Sequence, residues 1–197
     1  MSTKEAKKLT RFVTMLVILC VSMAMLSGCT HEEMTAWVEG NFGIKVTVKE
    51  VALANGTMAY EWVSGDYNNE QMAQLDLALQ SDYNITKLRD ATTKYNCHSY
   101  AWYSQSSNNK YWIEDPANFR TNWFTSTGWT NVIPSNAKNG DKVDYYVNDN
   151  NRPHSAIVYD AANNLFVSKW GPAGLYIHSP TEGPRNYWAN QLGYYRP

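Results

Sequence analysis

The period of the apolar positions changes along the chain, and each change marks a different element. A near-continuous apolar run from Phe12 to Leu26 follows Lys4, Lys7, Lys8 and Arg11 and precedes Ser27-Gly28-Cys29. That is the arrangement of a secretion signal. Residues 30–43 have a partly helical start and end at Gly40 and Gly43, which predicts a short tether. Ile44, Val46 and Val48 then alternate with Lys45, Thr47 and Lys49, the period of a half-buried strand. Asn55-Gly56 breaks it, and Met58 to Val63 is the expected hairpin partner. With Asn69 as its cap, a helix is predicted to about Ser81, because Met72, Leu75 and Leu79 share one face.

From Tyr95 the spacing of Tyr100, Ala101, Trp102 and Tyr103 predicts a further helix with a buried stripe. Residues 111–139 are loop-rich and aromatic, broken by Pro116, Gly128 and Pro134. The last part reads as an antiparallel meander with strands at 141–147, 154–160, 165–170 and 175–178. A helix followed by strands gives an α+β fold. The expected organisation is a signal over 1–28, a tether over 29–43, an N-terminal extension over 44–90 and a catalytic domain over 91–197.

Composition changes this picture at two points. Net charge is −1 with the signs interspersed, so no basic stripe points to nucleic acid. Eight Trp and fourteen Tyr are either core filling or the wall of a groove that stacks on sugars or extended peptide. The cysteines are more telling. Leu26-Ser27-Gly28-Cys29 resembles the bacterial lipobox, whose cysteine becomes the lipidated first residue of the mature protein. With Cys20 inside the signal and Cys29 carrying lipid, Cys97 is left as the one thiol of the mature chain. The expected location is therefore the cell envelope, outside the cytoplasm and anchored by lipid to a bacterial membrane. An odd thiol in an exported protein is either buried and inert or chemically employed.

A thiol nucleophile needs an acidic sulfur, a base within hydrogen-bond reach and a group that orients the base. Cys97, near the first turn of its predicted helix, and His154, opening a strand, are the candidates. His178 is the expected orienter, brought back by a turn at Gly171-Pro172-Ala173-Gly174. Trp170 is placed to shield the imidazole. A zinc site from Cys97, His98, His154 and His178 has suitable ligand types, but adjacent Cys-His and the absence of Cys-x-x-Cys or His-x-x-x-His spacing speak against a metal.

Tyr95-Asn96-Cys97-His98-Ser99, Gly140-Asp141-Lys142-Val143 and His154-Ser155-Ala156-Ile157-Val158, in that order, resemble the NlpC-type branch of papain-like cysteine peptidases and amidases, which includes the CHAP amidases. The resemblance covers roughly 90–180. It implies a papain-like core with a Cys-bearing helix packed on an antiparallel sheet. It also implies Cys97 as nucleophile, His154 as base, Tyr95 as a shaper of the substrate groove and no cofactor. Exported proteins of this kind cut peptide or amide bonds in peptidoglycan, the expected substrate and partner. The family has Asp before its cysteine and Ser-Gly after it, where this chain has Asn96 and His98-Ser99. It also places His, Asn or Gln on the strand after the base, where Leu165–Trp170 offers none of these. The alternative is a non-catalytic envelope lipoprotein that binds wall glycan or a protein through an aromatic groove. Oligomeric state is not encoded in any pattern found.

Overall fold

The computed structural model describes residues 30–114, 128–146, 154–183 and 191–196. Cys29, the signal segment and the aromatic residues of 115–127 lie outside them. The described chain is α+β, with few helices and two antiparallel sheets.

Residues 31–42 form a helix, α1 (His31–Phe42), and not a tether. Thr30 and Glu33 close a capping box over its first turn, and Gly43 ends it in the left-handed region at φ 66°. One side of α1 is fully buried through Met34 and Val38, in a cluster that includes Leu75, Trp112, Trp170 and Tyr176. Strands β1 (Thr47–Ala52) and β2 (Met58–Ser64) form the expected hairpin around Asn55-Gly56. Helix α2 (Asn69–Asp82) begins one residue after its cap, which is Asn68 and not Asn69; Asn68 and Gln71 make a second capping box. Leu75 and Leu79 are buried, as their spacing requires.

Strand β3 (Thr86–Arg89) joins the large sheet, and β4 (Tyr111–Trp112) adds to β2. Between them lies a short helical segment, 97–103, whose Ser99–Tyr103 part is π-helical with Ser104 N–H bonded to Ser99 O. The meander follows as β6 (Lys142–Tyr146), β7 (His154–Asp160), β8 (Leu165–Lys169) and β9 (Leu175–His178), after a short β5 (Thr130–Val132). Strand β10 (Gln191–Arg196) lies between β5 and β6, so the seven-stranded sheet runs β3-β9-β8-β7-β6-β10-β5.

The two sheets, α1 and α2 share their cores. The cluster around Trp112 draws on α1, α2 and the β8–β9 turn. A second cluster joins Leu53 and Ala59 of the hairpin to Tyr100, Trp102, Ile157 and Val167. The boundaries expected at 43 and 90 therefore do not separate independent cores.

Candidate functional site

Cys97 is held by the residue before it. Asn96 Oδ1 accepts from Ser99 N–H at 3.0 Å, a side-chain cap on the helical segment, and also from Ile113 N–H at 3.3 Å. Its Nδ2 donates to Ile113 O at 2.7 Å. Asn96 thus pairs with Ile113 as a strand residue would, and an aspartate could not make the donation to the carbonyl. Farther back, Asp66 accepts from Tyr67 N–H, Thr93 N–H and the Thr92 and Thr93 hydroxyls. Burial alone would raise its carboxyl; the hydrogen bonds outweigh that and hold it below the usual range. The 92–96 approach to the cysteine is therefore fixed at both ends.

The meander is fixed by Asp141, the acid of Gly-Asp-x-Val. It accepts from Lys138 N–H at 2.7 Å and takes both Nε and an Nη of Arg196. This ties the start of β6 to the end of β10, a structural role.

Side chains alternate along β7. His154, Ala156 and Val158 leave one face, where Ala156 and Val158 join Val143, Tyr145 and Phe166. Ser155 and Ile157 leave the other, against the 97–103 segment. There Ser155 Oγ donates to Asp144 Oδ1 at 3.0 Å and accepts from Trp102 Nε1–H at 3.0 Å, with His98 Nδ1 at 2.8 Å. Since the one Ser155 hydrogen goes to Asp144, His98 donates from Nδ1. The oddity of a histidine beside the cysteine has this explanation: His98 docks the helical segment onto β7.

On the opposite face a second chain of buried hydrogen bonds determines the tautomer of His154. Trp170 Nε1–H donates to Ser168 Oγ at 3.1 Å. Burial lowers the pKa of His178 to about 4, so its ring is neutral at pH 7. Its Nδ1 lies 2.8 Å from Ser179 O, which only accepts, so Nδ1 carries the proton and Nε2 is an acceptor. The Ser168 hydroxyl donates to that Nε2 at 2.7 Å, and its single hydrogen is then used. At 2.9 Å from the same oxygen, His154 Nε2 must therefore be the donor. Nε2 thus carries a proton, and in the neutral ring Nδ1 is the basic nitrogen.

These contacts place the expected residues as follows. His154 and His178 come together, but through Ser168, with ring centroids 6.4 Å apart; His178 orients His154 at one remove. Ser168, on the strand after His154, is the direct hydrogen-bond partner of its ring, where His, Asn or Gln is expected. Its signal was the hairpin register, which sets it diagonally across from His154 on the same face. Trp170 packs edge-on to His178 at 5.6 Å and bonds Ser168; it supports the orienters. Tyr95 is 2% exposed in the core beside Tyr100, where it packs and does not line an open groove. Cys97 is 1% exposed, at the end of the β7–β8 pair where Ser155 and Lys169 meet its segment.

Among the described residues one group has metal-ligating chemistry: His31 Nδ1 lies 2.8 Å from Glu114 Oε1 and 3.2 Å from Glu32 Oε2. His31 is stacked on Tyr60, and the cluster fastens the start of α1 to the end of β4.

Among the described residues no helix is long and apolar enough to cross a membrane. The chain matches no family model, no curated protein sequence and no solved structure.

Proposed function

We propose that the chain is an exported, lipid-anchored thiol hydrolase with a papain-like core that cleaves a peptide or amide bond of peptidoglycan. Cys97 as thiolate attacks the carbonyl carbon, forming the S–C bond. His154, having taken the thiol proton on Nδ1, returns it to the leaving amine as the C–N bond breaks. Water, deprotonated by the same Nδ1, then hydrolyses the thioester. No cofactor is required. His154 is the catalytic base, and Ser168 and His178 are positioning residues.

The observation that carries this reading is the tautomer of His154. A buried imidazole whose Nε2–H is fixed by three further side chains is arranged to offer Nδ1 as a base. It stands at the first position of β7 and is buried there. The Cys97 segment packs against Ser155, on the face of β7 opposite to His154, and the proposed reaction requires the thiol and the imidazole to meet around this strand end.

The test is alkylation of full-length protein in detergent by iodoacetamide across pH. Reactivity of Cys97 that persists well below the ordinary thiol pKa and falls in His154→Ala is expected, together with amide-bond products in a peptidoglycan digest read by mass spectrometry. A Cys97 that reacts no faster than when buried and protonated, with no released fragment, would give the chain to the second reading. That reading is a wall- or protein-binding lipoprotein, favoured by the near-complete burial of Cys97. Its groove cannot be built from Tyr95, Trp102, Trp112 or Trp170, all of which are core.

A further inference from the structure

Lys169 is the last residue of β8 and is fully buried, a state lysine almost never adopts without a partner for its charge. Its side chain leaves the β8 face opposite to Ser168, the face that carries Val167 and the 97–103 segment. Nζ donates to Thr92 O at 2.8 Å and to Gly171 O at 2.5 Å, and stands 5.1 Å from the centre of the Tyr95 ring. Two of the three N–H bonds of an ammonium are thereby directed at carbonyls and the charge lies by an aromatic face, two residues before Cys97.

We propose that Lys169 is a positioning residue for Cys97: its ammonium, fixed by two main-chain carbonyls and the Tyr95 ring, supplies the positive charge that holds Cys97 as a thiolate. This rests on the thiolate reading of Cys97 given above.

The other charges facing Lys169 are engaged elsewhere. Burial lowers its pKa to about 7, against the opposing effects of Asp66, Cys97 and Asp76. Asp66 is bonded to Thr92, Thr93 and Tyr67 and paired with Lys94; Asp76 is bonded to Tyr176 and paired with Lys87. Coupling is reciprocal: a thiolate that favours the ammonium is favoured by it to the same degree. Lys169 moves no proton in this scheme. It shifts the thiol equilibrium, and His154 remains the base.

The experiment compares the pH profile of Cys97 alkylation in full-length wild type, Lys169→Met and Lys169→Arg. Lys169→Met is expected to raise the thiol midpoint by about one unit, making alkylation at pH 6 about tenfold slower, and Lys169→Arg to restore it. A purely structural lysine would lower stability and leave the midpoint in place, and that result in a folded Lys169→Met overturns the inference. Should Lys169→Met not fold, the ammonium is followed in wild type and Cys97→Ser by lysine-selective nitrogen NMR. A lower Lys169 midpoint in Cys97→Ser is expected, and equal midpoints overturn it. A midpoint that moves with Lys169 while His154→Ala is without effect and no bond is cut would retain this inference and remove the hydrolase. The reverse pattern would do the opposite.

Discussion

At the scale of single residues, Asn96, Ser155 and Ser168, beside Cys97 and His154, are each matched donor to acceptor, so small chemical changes there have specific costs. Asn96→Asp alters one group yet turns the donor facing Ile113 O into a second acceptor. We expect a loss of about 1–3 kcal/mol in urea unfolding, with Cys97 more exposed to alkylating agents. Ser168→Ala leaves the His154 ring its bulk surroundings but removes the acceptor for its Nε2–H. If the proposed hydrolysis holds, its expected effect is a fall in that rate of about tenfold, the equivalent of one hydrogen bond's worth of orientation, against a larger loss in His154→Ala. Equal rates in Ser168→Ala and wild type would show that the tautomer is not being set there. Of these residues, the sequence pointed to Cys97, His154 and His178 through residue type and order. Asn96, Ser168 and Lys169 were silent because an amide, a hydroxyl and an ammonium are ordinary on a surface. What makes them informative is burial, which depends on the tertiary contacts.

At the scale of elements, the meander and α2 were legible because period and turn residues agree: alternation in β7, Gly171 to Gly174 between β8 and β9, Leu75 and Leu79 on one helical face. Helix α1 departs from the tether expected over 29–43, of which only the start is expected to be helical. Gly40 and Gly43 suggested flexibility, although Thr30 and Glu33 already spelled its capping box and Met34 and Val38 its buried stripe. Two glycines outside the left-handed region, Gly40 and Gly174, behave oppositely. A Cβ on Gly40, in the last turn of α1, meets nothing within 4 Å, so Gly40→Ala is expected to stabilise by up to about 0.5–1 kcal/mol. A Cβ on Gly174 would lie 2.7 Å from Arg89 O and from the Tyr176 ring. Gly174→Ala should cost about 1–3 kcal/mol and open the turn that delivers His178. Thermal melts of the two variants, moving in opposite directions, check both.

At the scale of the whole molecule, the buried titratable groups act in concert. Burial lowers His178 from 6.5 to about 4, Lys169 from 10.5 to about 7 and Lys142 from 10.5 to about 8. Between each pair of values the unfolded chain binds more protons than the folded one, so stability falls as pH is lowered through these windows. Burial raises Tyr67, Tyr95, Tyr145 and Tyr176 above 10.0, which makes stability fall again once unfolded tyrosines ionise. Denaturation midpoints measured from pH 4 to 11 should therefore peak at about pH 9 to 10. A maximum near neutrality would mean that the lysines are less buried than described. Packing crosses the expected boundaries at 43 and 90, because a hydrophobic pattern reveals that a face is buried but not which distant segment covers it.

The Ser168 oxygen has two lone pairs and one hydrogen, and all three are committed, to Trp170, His154 and His178. It has no capacity for a further donor, so His178 can take a second proton only by breaking the chain of bonds. His154 is different: a proton arriving at or leaving Nδ1 changes nothing that Ser168 sees. In the proposed cycle the groups behind the imidazole stay still while it loads and unloads its proton, so they form a mount rather than a wire.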